Sequence, residues 1–206
     1  MNILDLGSLM EIITAEELEL RASQTVKECG GIQPMHTPFY TLSISYSAER
    51  CLSAFDLYEH LLENNADPAS LISAVQEAVG HAGALSRYFW PSPTGKRNNQ
   101  YELKFARGKK LREIYKICED SPLANRELRN AWEHFDEKLD SYVLSNDAGC
   151  FFPTPIIDSH TLADEPIGKI FKLIDPNNHC LVLLGKKFFF EPIRAEVERI
   201  FIRTSE

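Results

Sequence analysis

The sequence has no apolar run approaching the roughly 18 residues that a membrane-spanning helix needs. It also lacks the basic start of a secretory leader, carrying Asp5, Glu11, Glu16 and Glu17 near its beginning instead. Both absences predict a cytoplasmic protein without a membrane partner. Cysteine is sparse: Cys29, Cys51, Cys118, Cys150 and Cys180 form no Cys-x-x-Cys pair and have no histidine nearby at metal spacing. That pattern argues against a zinc framework and for reduced thiols, mostly in the core. His36, His60, His81, His160 and His179 show no His-x-x-x-His spacing, so each reads as a loop or surface histidine, and neither metal nor other cofactor is expected. A phosphate-cradling glycine loop, a Gly-x-Ser-x-Gly elbow and a paired-carboxylate signature are missing as well. Positive charge is in deficit, with 22 Lys and Arg against 30 Asp and Glu for a net charge of -8. The molecule as a whole repels polyanions, and any nucleic-acid contact must be a local patch.

What is present fits one globular domain of 206 residues, or one domain with a small appendage, at 44% hydrophobic and 25% charged residues. Thr14-Ala15-Glu16-Glu17 is a capping box that starts a peripheral helix, with Gly30-Gly31 as its stop. Pro34 and Pro38 bracket a short loop. Ile44, Ala48, Cys51, Leu52, Phe55, Tyr58 and Leu62 then recur at helical steps and predict a long second helix buried on one side. Asp67-Pro68 caps a third helix whose inner face is Leu71, Val75, Ala78, Ala82, Leu85 and Phe89. Leu111, Ile114, Tyr115 and Cys118 anchor a fourth helix, and Leu128, Trp132, Phe135, Leu139, Tyr142 and Val143 mark one face of a fifth.

The pattern changes class after Gly149–Pro155, which reads as a linker. Ile170–Ile174 and Cys180–Leu184 flank the turn Asp175-Pro176-Asn177-Asn178 and predict a hairpin. Pro192, Ile193, Val197, Ile200 and Phe201 predict a closing helix. The expectation is a mainly α protein: a four- to five-helix bundle over 1–148 and a small α/β appendage over 149–206, a β-hairpin plus helix. The apolar Phe188-Phe189-Phe190 must be buried on the bundle, a second subunit or a partner.

Two features offer chemistry. One is the basic run Lys96, Arg97, Lys104, Arg107, Lys109, Lys110 and Arg112, the one anion-facing candidate, which Arg87 at the end of the third helix can join. Its plain alternatives are a solvated loop and helix face, and, for Arg87, a charge complementing the helix dipole. The other is Arg129-Asn130-x-x-x-His134 on the fifth helix. Asn130 and His134 stand one turn apart, and Arg129 projects about 140° round from His134. The plain alternative is a solvated amphipathic face with an ordinary Arg129–Glu133 ion pair.

This segment resembles the HEPN superfamily, helical bundles that carry an arginine, often followed directly by asparagine, then a histidine after four to six intervening residues. The resemblance covers roughly Tyr40 to Val143, and the Ala84–Pro91 and Glu133–Glu137 segments are similar to bacterial members. It implies a homodimer whose paired motifs cleave RNA without metal, with His134 as acid/base, Arg129 as phosphate clamp and Asn130 as orienter. The residue types suit such chemistry, because histidine exchanges protons near neutral pH and arginine's fork holds phosphate. Arg87, Lys104, Arg107, Lys109 and Lys110 would bind substrate.

The resemblance further implies a defence or stress role with an antitoxin or other protein partner. The position two residues after the histidine, tyrosine in some HEPN toxins, is Asp136 here, which puts regulation by a nucleotidyltransferase in doubt. The alternative function is a non-catalytic scaffold binding a nucleotide, RNA or protein. Geometry separates the two: catalysis needs His134 and Arg129 clustered in an exposed cleft, whereas binding tolerates them apart or engaged in salt bridges.

Overall fold

A computed structural model describes residues 13–204, in which seven α-helices and six short strands follow one another. Helix α1 (Ala15–Cys29) starts at Thr14, whose hydroxyl accepts from Glu17 N at 3.2 Å, and ends at Gly30 in the left-handed region. The capping box is half-made, because the Glu17 carboxylate turns to Arg21 at 2.7 Å. Pro34 opens a 3-10 turn and Pro38 lies in the first turn of α2 (Thr37–Glu63), so these prolines start a helix rather than bracket a loop. Proline's missing N–H costs nothing there.

Helix α3 (Pro68–Phe89) opens on Asp67, whose carboxylate accepts from Ala69 N at 2.9 Å and Ser70 N at 3.1 Å. The inner faces follow the 3.6-residue period. Ile44, Ala48, Cys51, Phe55 and Tyr58 of α2 are buried with Leu71, Val75, Ala78, Ala82, Leu85 and Phe89 of α3. Helix α4 (Asn99–Tyr115) packs on α1 and α3, burying Leu111 and Tyr115. Ile114 is exposed and Cys118 lies beyond the helix, because Lys116 takes a left-handed conformation that ends it.

The fifth helix is two helices. Helix α5 (Glu127–Glu133) and α6 (Phe135–Leu144) meet at His134, whose φ of -120° and ψ of 36° leave the helical region. Beyond the break Leu139 and Tyr142 are only half-buried and Val143 is exposed. Tyr142 instead packs edge-on against Phe171 at 5.6 Å, and Lys172 Nζ lies 4.7 Å from the Phe135 ring centre. The break lets α6 turn toward the C-terminal sheet.

That C-terminal region is richer than a hairpin plus helix. Strand β1 (Cys150–Phe152), inside the segment expected to be a linker, pairs in parallel with β3 (Gly168–Ile170). A second sheet has the order β2 (Ile156–Ile157), β4 (Lys172–Asp175), β5 (Cys180–Leu183), β6 (Lys186–Phe189). Strands β4 and β5 form the expected hairpin, and β6 extends it antiparallel while β2 joins in parallel. Successive strand residues point to opposite faces. Ile174, Leu181, Leu183 and Phe188 join the bundle's core, while Leu173, Cys180 and Val182 form a second cluster with Ile170.

Helix α7 (Glu191–Arg203) packs on α2 through Val197 and Ile200, and Phe190 stacks on Phe55 at 5.9 Å between ring centres. The appendage is therefore packed on the bundle. Of the five thiols only Cys51 and Cys180 are buried; Cys29 is half-buried, and Cys118 and Cys150 are exposed, so most lie outside the core. No helix among the described residues is long and apolar enough to cross a membrane.

Candidate functional site

The structure sorts the basic residues into two groups. Lys104 donates to Thr94 O at 2.8 Å and lies 4.4 Å from the Tyr101 ring centre, which fastens the loop before α4. Lys110 donates to Cys29 O at 2.6 Å, serving the C-terminal carbonyls of α1, and Lys109 stays exposed beside it. Lys110 thus serves α1 and Lys104 the loop before α4, and neither bonds to a residue of the Arg129 motif.

Arg87 and Arg107 belong with the motif's side of the molecule. Arg87, its side chain 57% exposed, reaches across from α3 to Glu133 Oε1 at 3.4 Å. It does not serve the last carbonyls of its own helix. Arg112 donates to Phe89 O and Arg126 to Trp90 O, so two other guanidiniums complement that helix end.

Arg129 lies flat on α3. A Cβ at Gly83 would stand 2.4 Å from Arg129 Cδ, so the glycine makes the groove in which the arginine's stem runs. Its side chain is only 16% exposed. Arg129 Nη2 donates to Asn130 Oδ1 at 3.2 Å, and Nε stands 3.3 Å from Glu133 Oε2. The Nε hydrogen is not directed at that carboxylate, and both Nε and Nη1 are buried without a hydrogen-bond partner. The adjoining cavity, about 20 Å³ in volume and lined by Gly83, Ser86, Arg126 and Arg129, has room for about one water. The Arg129–Glu133 pair of the solvated-face alternative is thus present, but in a half-closed setting.

His134 is placed differently. Its ring is 55% exposed and faces Glu137 Oε2 at 3.5 Å, an i,i+3 contact across the helix break. Within one chain the structure brings Arg129 and Asn130 together and gives the His134 ring a separate acidic partner.

Sequence reasoning passes over Arg126. It lies one turn before Arg129, and its guanidinium is pulled below its ordinary pKa, first by burial and then by the charges of Arg129 and Arg87. The available signal was the i,i+3 spacing of Arg126 and Arg129, which puts two guanidiniums on one flank. Arg87, Arg126 and Arg129 therefore form one electrostatic cluster, and Glu133 is the carboxylate that touches it through both Arg87 and Arg129. Part of the surrounding acid is neutralised elsewhere, with Glu127 on Lys186 at 3.1 Å.

A histidine expected at the surface is instead well engaged. His160 Nδ1 lies 2.7 Å from Asp175 Oδ2, with the side chain 18% exposed. Among the described residues no group of three or more His, Cys, Asp and Glu side chains is arranged to hold a metal ion. No protein-family model, curated protein sequence or solved structure matches the chain.

Proposed function

We propose that the chain binds RNA through the arginine cluster of α3 and α5, with Arg87 and Arg126 contacting backbone phosphates and Arg129 adding its charge from beneath. The observation that carries this reading is two guanidiniums, Arg87 and Arg129, sharing the single carboxylate of Glu133, with a third, Arg126, near enough to feel both charges, in a protein of net charge -8. Gathering like charges is unfavourable without a counter-ion, and the field they create is that of a local anion site. Arginine's planar fork suits phosphate oxygens. The separate engagements of Arg129 and His134 favour binding over cleavage within one chain.

Metal-independent cleavage of the HEPN type is the second reading. It is favoured by the exposure of His134 at a helix break five residues from Arg129. In that reading a homodimer supplies one chain's histidine to its partner's arginine cluster, and Asn130 orients Arg129.

The test is incubation of purified protein with mixed cellular RNA in excess EDTA, following both complex formation and strand breakage. Binding without breakage is expected. Arg87→Ala and Arg126→Gln should each weaken it about tenfold, the scale of one charge-assisted contact, whereas His134→Ala should leave it unchanged. Breakage that disappears in His134→Ala and in Arg129→Ala would establish the second reading instead.

A further inference from the structure

A cavity of about 300 Å³ opens between α2, α3 and α4, lined by Ser47, Ala84, Arg87, Tyr88 and Arg107. Its polar wall is unusual in having two arginines and no carboxylate. Arg87 has Glu133 as its ion-pair partner at 3.4 Å, and that residue does not line the cavity. Arg107 has a buried Nε with no hydrogen-bond partner, and its guanidinium lies over the Tyr40 ring, 5.8 Å from the centre.

The backbone fixes this arrangement. A Cβ on Gly31, whose φ is +100°, would lie 2.4 Å from Arg107 N, and a Cβ on Gly108 would lie 2.6 Å from Phe89 O. Two successive residues of α4 are thus held tightly between the end of α1 and the end of α3. Arg107 cannot swing its backbone away from the cavity. On the α2 side the Ser47 hydroxyl donates to Ser43 O at 3.0 Å, so its proton is already engaged and the two guanidiniums carry the recognition of an anion.

Two guanidiniums in one lining, that of Arg107 on a constrained backbone and that of Arg87 exposed with its carboxylate partner outside the lining, suit a doubly charged anion. A phosphodiester brings one negative charge, whereas a phosphate monoester brings between about 1.5 and 2 near neutral pH and three acceptor oxygens. The cavity falls at the small end of the range for ligand pockets, and Tyr88 offers a ring beside the anion site.

We propose that this cavity is a phosphate-monoester pocket in which Arg87 and Arg107 hold the phosphate and Tyr88 packs against the group that carries it. The monoester comes from one of two sources, a free nucleoside monophosphate or the 5'-phosphate end of an RNA strand. The second source deepens the RNA-binding reading and rests on it. The first does not.

The test titrates the full chain with AMP, and with one RNA hexamer carrying either a 5'-phosphate or a 5'-hydroxyl. Three proteins are compared: wild type, Arg107→Ala and Ala84→Glu. Ala84 is exposed on α3, so Ala84→Glu puts a carboxylate at the cavity while leaving the core intact, which covers the case of an Arg107→Ala protein that folds poorly. AMP binding lost at least tenfold in both variants supports the pocket. A tenfold preference for the 5'-phosphate hexamer, falling to unity in both variants, supports it with the RNA end as the source. AMP binding without RNA binding keeps the pocket and removes the RNA reading. RNA binding with no 5'-phosphate preference and no AMP binding overturns the pocket and leaves the RNA reading standing. AMP binding or a preference that persists unchanged in both variants overturns the pocket too.

Discussion

The arginine face of the bundle and the Asp175 turn of the sheet both place ionic groups in partly or fully buried positions, but they are bonded in opposite ways. Asp175, 2% exposed, accepts from His160 N at 2.9 Å, His160 Nδ1 at 2.7 Å, Asn178 N at 3.2 Å and Asn178 Nδ2 at 3.0 Å. Its acceptor positions are filled from within the chain. Across the bundle, Arg129 Nε and Nη1 and Arg107 Nε are buried with no hydrogen-bond partner. A saturated buried ion specifies a turn; an unsaturated one marks a place where a ligand or water completes the bonding. The first serves stability, and the second is where the proposed RNA and phosphate contacts lie.

The sharpest way to break this contrast is at Asp175. Burial alone would raise its carboxyl, but the hydrogen bonds from His160 and Asn178 outweigh it and hold the group down at about 2, against an ordinary value of 3.8. A folded-state value below the unfolded one means stability present above about pH 4 and lost as pH falls through about 2. The loss should be on the order of 2 kcal/mol. Asp175→Asn should lower the thermal midpoint at pH 7 and flatten the dependence between pH 4 and 2. An unchanged midpoint would mean that the four bonds do not hold the turn, and the contrast would fail on its structural side.

A smaller effect is expected at Glu133, which spans Arg87 at 3.4 Å and Arg129 at 3.3 Å. Removing this partial counter-charge should leave the guanidiniums freer for phosphate. Glu133→Gln should tighten RNA binding about threefold, the modest size expected for half-exposed pairs, and fluorescence anisotropy would read it. Weaker binding would mean that Glu133 organises the arginines rather than opposing their ligand.

Helices α2 and α3 were legible because their apolar residues keep one period from end to end and Asp67-Pro68 supplies an unambiguous start. The break at His134 was not. Leu128, Trp132 and Phe135 keep steps of four and three whether the helix runs on or stops, and the turn is tied to contacts of Tyr142 and Lys172 far along the chain. Strands β1 and β2 were hidden because they are three and two residues long and pair in parallel with distant segments. Prolines around them gave only a loop signal.

The site was legible in part. The Arg129-Asn130 contact follows from adjacency, and Arg87 and Arg107 were marked by charge alone. Their convergence on one cavity with Ser47 depends on how three helices pack, set locally by Gly31 and Gly108. Sequence periodicity carries no record of such an encounter. The five lysines and arginines expected to bind substrate divide by the same logic, since Lys104 and Lys110 are consumed by backbone carbonyls that only the folded chain brings near.

The salt dependence of RNA binding bears most immediately on the role of the arginine face. Each phosphate neutralised on a single strand contributes about -0.7 to the slope of log K against log salt. Three arginine charges in the cluster predict a slope of about -2 for the wild type, falling toward about -0.7 in the Arg87→Ala, Arg126→Gln double variant. A wild-type slope near zero, or a slope unchanged in the double variant, would contradict the assignment of RNA binding to this arginine face.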